Sequence, residues 1–170
     1  MLDENKFGIR DKRGNWKPFK LSEPAPIFQL PLNFTKIFKW IFGIYGYIFP
    51  WNFFYGLMAI ILWLYFTPSI DVMKSFHYSW ISYLLIRNLI LTIIVCGGLH
   101  FFLYIKKTQG NATKYNGKWP EKNSKNFLFN NQTKENMFWT LCSGVPIWTA
   151  YEVFSLWSFS NGYFIFFNWD

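Results

Sequence analysis

Histidine is almost missing from this chain: His77 and His100 are the only two in 170 residues. Metal and acid–base sites usually gather several imidazoles or carboxylates, so this scarcity limits the chemistry the chain can do unaided. Cysteine is equally rare. Cys96 and Cys142 both lie inside apolar runs, which leaves no disulfide framework and no zinc-ligand spacing. Acidic residues are few as well, nine against seventeen lysines and arginines, for a net charge of +8. The opening residues hold no apolar h-region, so they are not a cleavable signal peptide.

Aromatic and aliphatic side chains are what the chain has in quantity. It is 52% hydrophobic and 24% aromatic, yet its mean hydropathy is barely above zero. Apolar blocks must therefore alternate with polar ones. Tryptophan and tyrosine at this level suit a membrane protein, where they settle at the headgroup boundary. The positive charge does not need nucleic acid to explain it, and none is expected as a partner. Eight of the lysines and arginines lie in residues 1–39 and seven in 106–135, flanking apolar stretches as the positive-inside rule would place them.

The order of these blocks predicts an all-α integral membrane protein with about three transmembrane helices and one interfacial helix. Residues 1–36 form a polar leader in which Pro18, Pro24, Pro26 and Pro31 forbid a long helix. Residues 37–49 are too short to span, roughly 20 Å against about 30 Å of hydrocarbon, and suit an interfacial helix anchored by Trp40, Tyr45 and Tyr47. Spans are predicted at 51–67, with Pro50 at the first helical position, at 80–105 and at 137–162. Thr133 is the expected cap of the third and Pro146 its expected kink. The membrane domain as a whole is 37–170. Lysine and arginine bias places the N-terminus and the loop 106–135 in the cytoplasm and the short loop around Asp71 outside or in a lumen. Asn-x-Thr sequons begin at Asn33, Asn111 and Asn131, all on the cytoplasmic side, and are read as chance.

Two charges fall inside predicted spans. Arg87 lies roughly 10 Å in from the outer end of the second span, and Glu152 roughly 15 Å in from the same face on the third. A charge in a span asks for a partner, so these two are expected to form an ion pair, with Thr149 and Ser155 on the arc of Glu152. The pair would pin two helices; a proton relay or a substrate contact is the alternative. Asn88, Thr92, Cys96 and His100 recur every four residues as a polar stripe that should face protein, while Gly97 and Gly98 allow close helix approach. His100 has no second histidine at HxxxH spacing, because Tyr104 stands there, and it reads as a packed or interfacial residue. His77 reads the same way. No residue is assigned as catalytic or as a metal ligand.

Several stretches together resemble the fatty acid hydroxylase/sterol desaturase superfamily in its bacterial-type branch. They are RGNWKP at 13–18, WIFGIYGYIFPWNFFYG at 40–56, IRNLILT at 86–92, GGLHFFLY at 97–104 and FLFNNQTKENMFWTLCSGVPIWTAYEVFSLWSFSNG at 127–162. The resemblance implies a protein that oxidises a lipid C–H bond with O₂ at a di-iron centre facing the cytoplasm. In that family the irons are held by HxxxH and HxxHH clusters that come after the segment similar to 136–163, beyond a further span. His100 matches a family histidine upstream of those clusters, and none of the cluster positions is matched here. The chain is thus similar to the N-terminal half of such an enzyme: no cofactor is expected in the chain itself, and alone it should be inactive. The expected partners are membrane lipid and a C-terminal half or partner subunit. The rival reading is a small non-catalytic membrane scaffold or lipid-binding subunit. A transporter would want inverted repeats or a polar midplane site, and neither is visible.

Overall fold

A computed structural model of the chain describes residues 7–20, 23–111 and 114–163. The start of the expected leader (1–6) and the apolar end of the expected membrane domain (164–170) lie outside the described residues. The described chain is mostly helical, with five helices and one short β-hairpin. It divides into two compact units, Pro18–Thr67 on one side and Met1–Lys17 with Pro68–Asp170 on the other.

In the first of these units, a 3₁₀ turn at Pro26–Phe28 precedes α1, Phe34–Phe42. Asn33 starts α1, its side chain accepting from the Lys36 amide at 3.0 Å. The apolar residues Phe34, Ile37, Phe38 and Ile41 recur at helical spacing, with Lys36 and Lys39 off that stripe. The expected interfacial helix at 37–49 is thus displaced and shortened, beginning three residues earlier and stopping at Gly43. Beyond Gly43 the chain folds back, with the Tyr47 amide donating to the Trp40 carbonyl at 2.7 Å. Gly46 makes that possible, since a Cβ there would lie 2.2 Å from the same carbonyl.

Helix α2, Trp51–Phe66, follows, with Pro50 as its cap residue rather than its first helical residue. Its 16 residues extend about 24 Å, short of a typical hydrocarbon core, and none is buried.

The second unit opens with the hairpin β1 Gly8–Arg10 and β2 Trp16–Pro18. Its turn is built by Asp11, whose Oδ1 accepts from the amides of Arg13 and Asn15, both at 2.9 Å. Gly14 sits at φ +84°, the left-handed conformation this turn demands. The prolines do keep the leader from forming a long helix, but this strand pair was not expected.

After Pro68 come α3, Ile70–Met73, and α4, Tyr78–Ile105. Helix α4 has 28 residues, about 42 Å of rise, and is long and apolar enough to cross a membrane. Only 6% of its most apolar stretch is buried, unlike the core helix of a water-soluble domain. Its ladder widens into π turns at Ile93–Gly97 and Phe101–Ile105.

Helix α5 covers residues 132–160 in one run: Gln132–Trp139, a π turn at Thr140–Gly144, and Val145–Ser160. It starts five residues before the expected span, inside the expected loop 106–135. Asn131 caps it, accepting from the Lys134 amide at 3.1 Å, so Thr133 lies inside the helix and is not the cap. The π turn leads directly to Pro146, where a missing N–H and the ring's clash with the preceding turn favour a wider ladder.

Helices α4 and α5 run antiparallel. Met73, Trp80, Leu84, Val153 and Leu156 form the buried core, with Ile81 and Trp157 against it. The Trp80 indole donates to the Ser75 carbonyl at 3.0 Å, and Asn161 donates to the Lys74 carbonyl at 3.0 Å, which ties the α3 end to both helices. Packing is one-sided along the pair. Every buried residue of these helices lies in Tyr78–Thr92 or Val145–Ser160, and none in the π-wound halves.

Candidate functional site

The spacing Trp80, Leu84, Arg87, Asn88 sets four residues on one face of α4, and Val145, Thr149, Val153, Leu156 does the same on α5. Where these faces meet, one step along from the apolar core, lies a polar cluster. Arg87 forms an ion pair with Glu152 through Nη2 and Oε1. The Asn88 amide donates to Glu152 Oε2 at 2.7 Å and to Thr149 Oγ1 at 3.1 Å. In return Asn88 Oδ1 accepts from Arg87 Nε at 3.2 Å and from Nη2 at 3.0 Å. Asn88 thereby stitches both charged partners together and is itself fully buried.

Both carboxylate oxygens of Glu152 have a donor, and among the described residues no buried side-chain nitrogen or oxygen lacks a partner. A satisfied network of this kind fixes two helices in register. The two partners differ in access, with 8% of the Arg87 side chain exposed and 24% of Glu152. Glu152 is therefore the member that an outside proton or ligand could reach.

The remaining sequence-predicted residues are not gathered there. Ser155 is exposed and bonds back to the Tyr151 carbonyl at 2.8 Å. Thr149 and Ser155 each lie three residues from Glu152, about 60° to opposite sides of it, and only the first side faces α4. Thr92 donates to the Asn88 carbonyl at 2.8 Å, and the first π turn begins at the next residue. Cys96 is exposed. His100 lies further along, its ring stacked on Tyr104 at 5.2 Å. The polar stripe is thus split, with Asn88 buried in the cluster and His100 near the far end of α4. His77 caps the start of α4 through Ser79.

A second arrangement, absent from the sequence reading, lies where α4 ends. Arg10 on β1 donates to four backbone carbonyls, those of Gly14, Tyr115, Asn111 and Lys114, at 2.7–3.2 Å. Those bonds hold the hairpin to the stretch after α4, where Asn15 and Asn116 also form a β-bridge. The ammonium groups of Lys114 and Lys107 lie 3.6 Å and 4.5 Å from the centre of the Trp119 ring. Burial, with Arg10 and Lys107 nearby, holds the Lys114 ammonium below the usual lysine range. A lysine-rich loop with one tryptophan was visible in the sequence, but nothing local indicated that Arg10 would organise it.

Among the described residues no group of three or more histidine, cysteine, aspartate or glutamate side chains could hold a metal ion. The residues described here therefore do not fit a di-iron centre. Comparison of the chain with protein-family models, with curated proteins and with solved structures found no match.

Proposed function

We propose that this chain is a membrane-embedded helical platform of a lipid-oxidising protein similar to the fatty acid hydroxylase/sterol desaturase superfamily. On this reading it contributes spans and a lipid-facing surface. The iron ligands come from a histidine-rich segment or subunit that works with it. The observation that carries the platform role is the Arg87–Asn88–Thr149–Glu152 cluster, which joins two helices whose outward faces are apolar and open. Exposed residues such as Ile86, Ile90, Ile94, Ile147 and Phe154 have no reason to face water but suit hydrocarbon. The assignment to lipid oxidation rests on the resemblance of 127–162, 97–104 and 40–56.

Helix α4 is taken as one span, α5 as a second and α2 as a shorter third, with α1 at the interface. The hydrogen bonds between the hairpin at 8–18 and the stretch 111–117 support placing both on one face of the membrane. Their lysines and arginines make that face the cytoplasmic one. The test is to read the coding DNA beyond Asp170 and co-express what it encodes with the chain. Histidine clusters there, and two irons bound only by the co-expressed complex, are the expected result. Stoichiometric iron on this chain alone, or no histidine-rich product, would overturn the reading.

A non-catalytic scaffold is the second reading. The completeness of the Glu152 hydrogen bonding favours it, because both carboxylate oxygens are committed to holding the two helices together.

A further inference from the structure

We infer that the turn closing α4 binds the phosphate of an anionic phospholipid headgroup between Lys107 and Lys114, with Trp119 as its platform. This rests on the membrane reading of α4 given above. The turn follows the last apolar residue of α4, Ile105, at the depth where headgroups begin. Phe101 and Phe102 lie beneath it, each ring within 5.5 Å of the Lys106 ammonium.

Lys107 and Lys114 both sit against one indole, at 4.5 Å and 3.6 Å from its centre, so at most about 8 Å separates their charges. A phosphate between them could accept one charge-assisted hydrogen bond from each. Among the described residues, no carboxylate lies within ion-pair distance of either lysine. Lys114 spends one N–H on the Lys118 carbonyl at 2.8 Å and has two more to offer. The nearby Arg10 guanidinium gives four bonds to carbonyls, so it shapes the loop while adding positive potential.

The backbone supplies an independent sign. Lys107 adopts φ +51° just beyond the helix end, the slot that glycine ordinarily fills. The Thr108 amide closes the turn on the Phe102 carbonyl at 3.2 Å, a bond any residue at 107 would permit. A lysine held in a strained slot and directed at an indole indicates a use for its charge.

The experiment uses the full chain in a non-ionic detergent, with retained lipids counted by native mass spectrometry. Phosphatidylglycerol and phosphatidylcholine are offered in equal amounts, with inorganic phosphate as a separate competitor. Alkaline carbonate extraction of the membranes is run alongside. The wild-type chain should stay in carbonate-washed membranes and retain phosphatidylglycerol preferentially. Lys107→Gly, which suits the left-handed turn, and Lys114→Gln should each lower that preference about tenfold. Lys125→Gln, which removes the same charge from an exposed position in the same loop, should leave it unchanged. Equal loss in Lys125→Gln, or displacement by millimolar inorganic phosphate, would overturn the headgroup site. No lipid preference in a chain that resists carbonate would remove the site and leave the membrane reading standing. Release by carbonate would remove both.

Discussion

The Asn88 amide donates to Glu152 Oε2 at 2.7 Å while its own carbonyl oxygen accepts from Arg87, so one neutral side chain touches both members of an ion pair. This geometry predicts an order of severity. Glu152→Ala leaves a buried guanidinium without its counter-charge and should cost about 3 kcal/mol. Asn88→Ala removes a bridge but keeps the pair, for about 1–2 kcal/mol. Replacing both charges, Arg87→Met with Glu152→Met, removes the desolvation cost of the pair but leaves the buried Asn88 oxygen without its donors, so it should cost about 1–2 kcal/mol, less than Glu152→Ala. Denaturation in mixed micelles, followed by near-UV circular dichroism, measures all three. A double variant no better than Glu152→Ala alone would mean that the charges do more than hold helices together.

The Asp11 turn predicts a pH response confined to the hairpin. The amide of Asn15, then that of Arg13, donates to its carboxylate and holds its pKa below the ordinary 3.8. The folded form therefore binds the proton more weakly than the unfolded form. The contribution is complete above pH 3.8 and is lost as pH falls through the depressed folded value. Amide exchange at Arg13 and Asn15 should rise in that acid range, relative to the intrinsic rate. In Asp11→Asn, whose side-chain oxygen can still accept but carries no titrating charge, the response should be flat.

Arg10 predicts a long-range effect from one substitution. Its guanidinium is the crossing point between the hairpin and residues 111–117, and no lysine can reach four carbonyls. Arg10→Lys should speed exchange at the amides of Trp16 and Gly117, which bond to the Tyr115 and Gly14 carbonyls, by about tenfold or more. Gly117→Ala should do the same more weakly, since its Cβ would stand 3.2 Å from Arg10 Nη1. Exchange in α5 should be unaffected by either change.

How much of this was legible depends on how local each signal is. Counting rise per residue put Arg87 and Glu152 at matching depths, and that needs only helical geometry. The bridging role of Asn88 depends on which face of α5 meets α4, and a stripe of residues four apart does not contain that information. Ser155 was grouped with Thr149 because both lie three residues from Glu152, but they lie on opposite sides of it. At the start of α5, Asn131 and Thr133 both had cap chemistry, and the backbone conformation of Asn131 decided between them. The hairpin carried a real turn signal in Asp11-Lys12-Arg13-Gly14-Asn15. Its strands are three residues long and are held partly by a loop a hundred positions away, which no local reading can see.

The two ends of α4 predict opposite sides of a membrane. Ser75 lies just before the helix starts, and Ser124 lies in the lysine-rich stretch after it ends. Cys96 and Cys142 can be replaced by serine with little structural cost, since both are exposed and neither is in a disulfide. In that background, Ser75→Cys should react with a membrane-impermeant maleimide added to intact cells. Ser124→Cys should react only after the membrane is opened, as the lysine distribution requires. Reaction of both from outside would mean that α4 lies along the surface, and its 28 residues would then be amphipathic cover rather than a span. That outcome conflicts with the helix itself, because Ile86, Ile90, Ile93, Ile94 and Phe102 are exposed around more than one face and leave no broad polar side for water. Labelling from opposite sides would also place the Arg87–Glu152 pair inside the bilayer. Roughly 14 Å of helix separates Tyr78 from Arg87, which is about half the hydrocarbon thickness. At that depth water would be scarce, and a pair placed there would need the closed network observed, in which no buried side-chain nitrogen or oxygen among the described residues lacks a protein partner.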